Sequence, residues 1–319
     1  MMSQLEGDIL ILGAGGKMGP TLSRMTRRAT DAAGVKRRVI AVSRFSHEGE
    51  VARLQSEGVE VLRGDLLDND FVRSLPEAAN VLYLVGMKFG GPNALPETWT
   101  SNAYLAGVIA DRFRASRIVA MSTGNVYGTV AVDPGTGAAE CEAPDPMGEY
   151  VMSALGRERV FQHFSKKLGI PMTIIRLNYA TEFRYGILVD LAKQVYRGET
   201  ISLVTGYFNV IWQRDACDNI LRSLALSSVP PRILNVTGAE RISCRQVCEK
   251  FGELFGRKTR FDGVESPSAL LSDARQAIQL FGRPTVTLDA MLSMTADWIN
   301  RGGETWNKPT QFQVRDGKF

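Results

Sequence analysis

The chain has 319 residues, of which 44% are hydrophobic and 23% are charged, a composition typical of a soluble globular protein with a large core. The net charge of +4 is spread along the sequence, without the basic stripe that nucleic-acid binding requires. The first residues lack the order of a signal peptide, and no apolar run approaches the ~20 residues that span a bilayer. We therefore expect a cytoplasmic protein that binds a small molecule, and neither a nucleic acid nor a membrane.

The cysteines do not indicate a metal site. They follow no metal-ligand spacing and are Cys141, Cys217, Cys244 and Cys248. The last two stand four residues apart on a predicted helix, so we interpret them as reduced, half-buried thiols.

Short apolar segments alternate with longer amphipathic ones through the first half of the chain. The pattern predicts six strands, which are Asp8 to Leu12, Arg38 to Val42, Val59 to Leu62, Val81 to Val85, Arg117 to Met121 and Met172 to Arg176. It also predicts helices, notably Lys17 to Ala33, Thr98 to Arg114 and Glu149 to Leu168. Alternation of this kind, with continuously apolar strands, is typical of a parallel sheet that helices cover on both faces. We predict an α/β fold of the Rossmann type with a doubly wound parallel sheet.

The alternation loosens after Arg176. We predict a hairpin over Ile201 to Ile211, a helix capped by Asp215 and ending at Leu226, and a strand at Ile233 to Val236. A helix capped by Ser243 and ending near Phe255 follows. We predict two further helices, at Ser272 to Phe281 and Leu288 to Asn300, and an irregular tail from Gly302 to Phe319. We assign residues 1–176 to a dinucleotide-binding domain and residues 177–319 mainly to a smaller, interwoven substrate-binding lobe, with segments that return to the first domain.

A glycine-rich turn joins the first strand to the first helix. It reads Gly13-Ala14-Gly15-Gly16-Lys17-Met18-Gly19. Gly13 permits a tight turn, Gly15 or Gly16 lets the backbone approach a phosphate, and Gly19 lets the helix pack closely. The N-terminus of the helix favours anions. We therefore predict that this turn, including Lys17 and Met18, binds the pyrophosphate of NAD or NADP.

The second strand ends at Ser43 and Arg44, where an NAD-binding enzyme usually carries an acid for the ribose 2′-hydroxyl. The arginine fork suits a 2′-phosphate, although an arginine here can also be simply solvated. We therefore prefer NADP and leave NAD open. Asp65, beside Leu66 after the third strand, either accepts a hydrogen bond from the adenine amino group or caps the next helix.

Several segments resemble the extended short-chain dehydrogenase/reductase family, which includes nucleotide-sugar epimerases and dehydratases. The segments are the GxxGxxG of residues 13–19, Gly64-Asp65-Leu66, Met121-Ser122-Thr123-Gly124-Asn125-Val126-Tyr127-Gly128, Arg214-Asp215-Ala216, Asn235-Val236-Thr237-Gly238 and Phe281-Gly282-Arg283-Pro284. The resemblance covers nearly the whole chain.

The resemblance implies a catalytic Ser or Thr, a Tyr and a Lys. The first two match Thr123 and Tyr150, but the position for the lysine, one helical turn after the tyrosine, is Ala154. A phenol ionises near pH ~10, and a nearby cation lowers such a pKa by ~1–3 units. No lysine lies between Lys88 and Lys166, so a shift in register does not restore one. The resemblance therefore implies a modified active site.

Two basic residues are candidates to compensate for the missing lysine. Lys88 follows the fourth strand, beside Val85 and Gly86, where we expect the nicotinamide. Arg157 lies two helical turns beyond Tyr150 on a similar face, although it accepts no proton and can be simply solvated.

Predicted substrate contacts come from the ends of the fifth and sixth strands. They are Asn125, Asn178, Tyr179 and Arg184. The family commonly carries Arg-Pro-x-Asn-x-Tyr-Gly after the sixth strand, and Arg176-Leu177-Asn178-Tyr179-Ala180-Thr181 departs from it, which leaves the substrate class open.

We therefore predict an NAD(P)-dependent oxidoreductase, epimerase or dehydratase that acts on a sugar-like or nucleotide-sugar substrate. The alternative is a non-catalytic NAD(P)-binding redox sensor or regulatory protein, which the absent lysine favours and the retained Thr123 and Tyr150 disfavour. The resemblance also implies a homodimer formed by the helices of Thr98 to Arg114 and Glu149 to Leu168.

Overall fold

The computed structural model describes residues 1–88, 94–133, 137–315 and 317. Its centre is a seven-stranded sheet in which every neighbouring pair is parallel. In spatial order the strands are β12 (Arg232–Val236), β7 (Met172–Leu177), β5 (Arg117–Thr123), β4 (Asn80–Tyr83), β1 (Ile9–Leu12), β2 (Val39–Ser43) and β3 (Glu60–Arg63). This order confirms the predicted doubly wound sheet.

Helices cover both faces of the sheet. They are α1 (Gly19–Ala32), α2 (Glu48–Ser56), α3 (Asn69–Ser74), α4 (Leu95–Trp99), α5 (Leu105–Arg112), α6 (Glu149–Leu168), α7 (Ile187–Arg197), α8 (Gln213–Arg222), α9 (Cys244–Phe255), α10 (Arg275–Phe281) and α11 (Leu288–Asn300). Successive strand residues point to opposite faces, so Ile9 and Ile11 join one buried cluster while Leu10 and Leu12 join the other. Both faces of the strands are therefore buried.

The predicted hairpin over Ile201 to Ile211 is wrong. That stretch forms three short strands, each with a different partner. β9 (Thr200–Ser202) pairs in parallel with β14 (Arg260–Asp262), β10 (Tyr207–Phe208) pairs antiparallel with β13 (Ile242–Ser243), and β11 (Ile211–Trp212) pairs in parallel with β8 (Ala180–Thr181). A further short pair joins β6 (Val130–Ala131) to β15 (Ser268–Ala269). The apolar residues of the stretch face a third buried cluster, formed largely by α7, α9 and α11.

Two helix predictions need correction. Asp215 does not cap its helix: α8 begins at Gln213, and the Asp215 carboxylate accepts hydrogen bonds from Thr285 Oγ1 at 2.7 Å and Val286 N at 3.0 Å. The region from Thr98 to Arg114 is not one regular helix, because a π-helical turn over Thr100–Tyr104 separates α4 from α5. This turn points Asn102 inward, where it is fully buried.

The segment from α8 to β12 returns to the buried cluster that contains Ile9 and Ile11. There Cys217, Ile220 and Leu234 pack with residues of α1 and β1. Gln213 Nε2 also donates to Lys17 O at 3.3 Å and Thr21 Oγ1 at 3.0 Å, which ties the glycine turn to the second half of the chain. Within the described ranges, no helix is long and apolar enough to cross a bilayer.

Candidate functional site

The glycine turn lies at the carboxyl edge of the sheet, as its sequence predicts. Gly13 has a φ of +82°, in the left-handed region that glycine adopts readily. A Cβ on Gly19 would lie 2.2 Å from Ala14 O, and one on Gly15 would lie 2.8 Å from Ser43 Oγ. The backbone contact at Gly19 excludes a side chain, so the start of α1 stays close to the turn, whereas a side chain at Gly15 would require Ser43 to shift.

A cleft of about 650 Å³ opens over this turn. Its wall includes Gly15, Gly16, Lys17, Pro20, Phe45, Ser46, His47, Glu50, Arg184, Glu304, Thr305, Trp306 and Lys308. The volume lies within the ~300–1,000 Å³ of small-molecule sites, and the helix N-terminus supplies N–H groups for an anion. The residues present therefore fit a dinucleotide, and we call this cavity the cofactor cleft.

The predicted ribose and adenine residues lie at the ends of β2 and β3. Arg44 is 80% exposed at its side chain and its Nη1 lies 3.7 Å from Asp65 Oδ2. Asp65 Oδ1 accepts from Leu67 N at 3.0 Å, whereas Asp68 caps α3. Leu66 is buried. Arg44 is thus free to turn toward a ligand, because a surface pair of this length contributes little stability.

A second cavity, of about 240 Å³, lies beside the cofactor cleft. It is lined by Lys17, Met18, Lys88, Thr123, Asn125, Tyr150, Leu177, Asn178, Tyr179, Ala180, Tyr185, Gly186, Ile187 and Thr310. The cavity brings together the predicted Thr123, Tyr150 and Lys88 with three of the predicted substrate residues. Lys17 lines both cavities. We call this second space the catalytic cavity.

Thr123 and Tyr150 line the same cavity, and the Thr123 hydroxyl favours the ionised form of the Tyr150 phenol. Thr123 ends β5, and its Oγ1 accepts from Asn125 N at 3.2 Å. Tyr150 lies in the first turn of α6, which follows Gly148 at a φ of +82°. Burial raises the pKa of Tyr150, and the Arg157 guanidinium and the Thr123 hydroxyl oppose that rise only in part. Tyr150 is therefore a protonated donor at neutral pH.

Ala154, at the position for the lysine, is buried. Arg157, one turn further along α6, is only 5% exposed. Its Nη1 donates to Met121 O at 2.7 Å, its Nη2 to Asn102 Oδ1 at 2.6 Å and its Nε to Asn102 O at 3.2 Å. The alternative that Arg157 is solvated is therefore wrong. Its guanidinium also lies against Gly86, where an added Cβ would come within 2.8 Å of Nη2.

The two lysines of the catalytic cavity have lowered pKa values. Burial lowers the pKa of Lys88 to about 8, and Lys88 Nζ donates to Thr310 O at 3.0 Å. Burial lowers the pKa of Lys17 to about 7, partly offset by Glu182 and reinforced by Lys88. Lys17 Nζ donates to Ala180 O and lies 4.5 Å from the centre of the Tyr185 ring. Both lysines can therefore exchange protons near neutral pH.

The predicted substrate residues divide between the two cavities. Asn125, Asn178 and Tyr179 line the catalytic cavity, whereas Arg184 lines the cofactor cleft. Asn178 Nδ2 donates to Asn209 Oδ1 at 3.1 Å, but its buried Oδ1 has no hydrogen-bond partner within the described ranges. Tyr179 has a φ of +41°, a strained conformation for a tyrosine of the kind that clusters at functional sites.

The tail contributes residues that the sequence did not indicate. Trp306 N donates to Arg184 O at 3.0 Å, and Thr310 donates from both N and Oγ1 to Asp190 Oδ2, at 2.8 and 2.7 Å. Thr310 and Phe312 are buried. Residues 304–315 thus cross both cavities, although most of them lack regular structure. We call them the C-terminal strap; residues 316, 318 and 319 of the predicted tail lie outside the described residues.

Searched over the described residues, His, Cys, Asp and Glu side chains form no group of three that could hold a metal ion. The described cysteines are all free thiols.

The sequence matches a family model, described as the NAD dependent epimerase/dehydratase family, over residues 9–236. This match covers more than two thirds of the 319 residues. The chain belongs to the NAD dependent epimerase/dehydratase family. No curated protein sequence matches it significantly.

Solved structures of similar fold include members that act on nucleotide sugars. The UDP-glucuronic acid 4-epimerase from Bacillus cereus, in complex with UDP-glucuronic acid and NAD, is 19% identical, with a TM-score of 0.76 over 92% of this chain and 99% of that chain. The UDP-glucose 4-epimerase from Thermotoga maritima is 17% identical, with a TM-score of 0.74 over 92% and 99%. The dTDP-glucose 4,6-dehydratase from Bacillus anthracis, in complex with NAD, is 14% identical, with a TM-score of 0.75 over 93% and 97%. At these identities the likeness shows a shared fold.

Proposed function

We propose that this epimerase/dehydratase family member is an NAD(P)-dependent enzyme that acts on a hydroxyl or keto carbon of a sugar-like or nucleotide-sugar substrate. The observation that carries the proposal is that Thr123 and Tyr150 line one cavity, which shares Lys17 with a cleft fit for a dinucleotide. The UDP-sugars and NAD bound by proteins of similar fold support it. The net reaction is epimerisation or dehydration if the cofactor is regenerated in place, and oxidation or reduction if it is released.

The side chains of the catalytic cavity have distinct tasks. When bound, the nicotinamide supplies a hydride acceptor or donor. Tyr150 exchanges a proton with the reacting oxygen, and Thr123 hydrogen-bonds the same oxygen. Because the raised pKa keeps Tyr150 protonated at neutral pH, the pair is set to donate a proton to a keto oxygen as a hydride reaches its carbon. Lys88, with its pKa of about 8, returns the proton to Tyr150.

The substrate is held by residues that follow β5 and β7. Asn178 Oδ1 is buried without a partner among the described residues, and a sugar hydroxyl supplies the donor that such an oxygen requires. Asn125 and Tyr179 form the rest of this wall, and Arg184 lies where the cofactor cleft begins. We assign most of the remaining contacts to the lobe of residues 177–319.

Turnover of candidate substrates tests the proposal. UDP-glucose, UDP-glucuronic acid and dTDP-glucose are incubated with the parent chain and with Tyr150→Phe, Thr123→Ala and Lys88→Ala. Loss of the proton-exchanging group reduces turnover by ~10²–10⁴-fold, and we expect dinucleotide affinity to be unchanged in Tyr150→Phe. Undiminished turnover in Tyr150→Phe would contradict the assignment. Tight dinucleotide binding without any turnover would favour the non-catalytic sensor. Undiminished turnover in Lys88→Ala would refute only the role assigned to Lys88.

We propose NADP as the preferred cofactor, with NAD as the alternative. Residues 13–19 would hold the pyrophosphate, Ser43 and Arg44 the adenosine ribose, Asp65 and Leu66 the adenine, and Val85 and Gly86 the nicotinamide. Calorimetric titration with both oxidised and both reduced dinucleotides tests this assignment. We expect Arg44→Ala to weaken NADP binding about tenfold, the loss of a charge-assisted hydrogen bond, and to leave NAD binding unchanged. Arg53→Ala, on the exposed side of α2, is the matched control; equal effects of Arg44→Ala on both cofactors would refute the preference.

A further inference from the structure

Because position 154 is an alanine, no lysine one helical turn away supplies a positive charge to Tyr150. A phenol in a buried site ionises more readily when a positive charge lies near it. Burial alone disfavours the phenolate, because it removes a charged oxygen from water. The charged and titratable groups that face this region come from several elements. They are Lys17 at the glycine turn, Lys88 after β4, Arg157 on α6, Tyr185 before α7, and Asp190 of α7 behind Thr310.

The lysines lose their charge before a phenol of this kind ionises. The pKa of Lys17 is about 7 and that of Lys88 about 8, whereas burial raises the pKa of Tyr150 above its ordinary value of 10.0. In the pH range where Tyr150 ionises, both lysines are therefore neutral. An arginine keeps its charge throughout that range.

Arg157 lies where a fixed charge can act on Tyr150. Its guanidinium donates to Met121 O, two residues before Thr123 on β5, and it is packed against Gly86 at the end of β4. The guanidinium therefore lies at the carboxyl ends of β4 and β5, the edge of the sheet where Tyr150 of α6 also lies, and its charge opposes the rise in the pKa of Tyr150.

The setting of Arg157 is unusual for a structural arginine. Its acceptors are three neutral oxygens, and no carboxylate pairs with it in the part of the chain that the structure describes. Taking an unpaired charge out of water is costly unless it gains a counter-charge. By comparison, buried Arg176 pairs with Glu158 at 2.7 Å. The π-helical turn supplies the remaining support, because Asn102 Oδ1 accepts from Arg157 while Asn102 Nδ2 donates to Met87 O and Ser153 Oγ.

We propose that the Arg157 guanidinium is the fixed positive charge that stabilises the Tyr150 phenolate, in place of the lysine that position 154 lacks. Arg157 is then a positioning residue that acts through Tyr150 and touches neither substrate nor cofactor. The inference rests on the proposed role of Tyr150 as the proton-exchanging group.

The test is a direct titration of Tyr150, which needs no turnover. Phenolate absorbance is recorded after rapid pH jumps, before the protein unfolds, and the trace of a matched Tyr150→Phe variant is subtracted to isolate Tyr150. We expect Arg157→Gln to raise the midpoint by ~1 unit or more. We expect Arg157→Lys to raise it as well, because a lysine at this buried position loses its charge below the pH range in which Tyr150 ionises. An unchanged midpoint in Arg157→Gln would overturn the proposal.

A double variant keeps the test decisive where Arg157→Gln does not fold. Ala154→Arg combined with Arg157→Gln returns a charge that persists above pH ~10 to the position one turn after Tyr150, and we expect its midpoint to lie near or below that of the parent. A midpoint raised by a unit or more in this variant would also contradict the proposal. Failure of the proposed function can be told apart from failure of this proposal. In that case Tyr150→Phe leaves turnover unchanged, although the titration still shows the effect of Arg157 on Tyr150.

Discussion

At the scale of single residues, Lys17 shows how burial converts a common side chain into a group that titrates near neutral pH. The aliphatic stem fills the wall between the cofactor cleft and the catalytic cavity, and the ammonium donates to Ala180 O beside the Tyr185 ring. Burial is the main cause of its lowered pKa of about 7, with Glu182 opposing and Lys88 adding to the shift. A buried ammonium without a counter-charge destabilises the ligand-free protein. An anionic ligand in either cavity would favour the protonated form of Lys17.

The lowered pKa predicts a pH-dependent stability. Below pH 7 the lysine is protonated in both states and the folded state carries the full cost of the buried charge. Between pH 7 and 10.5 the unfolded chain binds the extra proton, so stability rises with pH and the cost disappears. We expect Lys17→Met to be more stable than the parent by up to roughly 5 kcal/mol at neutral pH, at about 1.4 kcal/mol per pKa unit, with a gap that closes as the pH rises.

Urea denaturation of the ligand-free protein across this pH range measures the gap. Lys36→Met, at an exposed lysine away from both cavities, serves as the control and should show no such trend. If the free energy of unfolding differs between Lys17→Met and the parent by the same amount across this pH range, then the site of Lys17 does not disfavour its charge.

At the scale of elements, the regular parts of the fold follow from sequence periodicity alone. Helix α6 begins and ends at the predicted residues because Gly148 and Gly169 bound it with positive φ values, and Ser243 caps α9 as predicted. The strands of the main sheet differ from prediction by one or two residues at their ends. Buried parallel strands and glycine-bounded helices are local patterns, and local patterns are visible in one sequence.

The remaining elements depend on contacts that no local pattern records. The short strands between Thr200 and Trp212 are apolar and turn-separated, which also describes a hairpin, but their partners lie elsewhere in the chain. The π-helical turn at Thr100–Tyr104 has no sequence signature, although it points Asn102 toward Arg157. At the site, the glycine turn, Thr123 and Tyr150 came from motifs. Tyr185 and Thr310 had no motif, and Thr310 meets Lys88 across 222 residues of sequence.

The outer faces of the π-helical turn and α6 support the proposed homodimer. Trp99 of α4 is 39% exposed, Tyr104 of the π-helical turn is 56% exposed and Met152 of α6 is 44% exposed. These elements adjoin one another, and exposed large apolar side chains on adjoining elements are typical of an interaction surface. We expect Tyr104→Glu combined with Met152→Glu to convert a dimer to a monomer in sedimentation velocity. Val264→Glu, at an apolar residue that is 79% exposed elsewhere, should leave the dimer intact. A parent chain that sediments as a monomer would exclude this interface.

At the scale of the whole molecule, the C-terminal strap joins the two cavities into one site. It contacts Arg184 and Tyr185 through Trp306, Lys88 and Asp190 through Thr310, and Thr205 through Phe312. Arg315 then donates to Ser268 Oγ at 2.8 Å. The strap therefore touches the first part of the chain and the C-terminal lobe at once, and it covers the cleft where we place the cofactor.

Release of the cofactor should depend on this cover. Thr310→Val keeps the size of the side chain and the carbonyl that Lys88 contacts, but it removes the hydroxyl that donates to the Asp190 carboxylate. Hydrogen bonds to charged groups contribute about 1.5–3 kcal/mol, so we expect bound reduced dinucleotide to dissociate about tenfold faster, as followed by its fluorescence in a chase experiment. Removal of residues 304–319 should increase the rate further, because every contact of the strap is then lost.

The matched control is Gln313→Ala, in the same strap but in the wall of neither cavity. Its dissociation rate should stay near that of the parent. If the shortened chain binds dinucleotide and releases it at the parent rate, the strap does not close the site, and the coupling between Thr310 and Lys88 is structural only. If release accelerates in both Thr310→Val and the shortened chain, opening of the strap limits cofactor exchange, and one anchor on α7 controls access to both cavities.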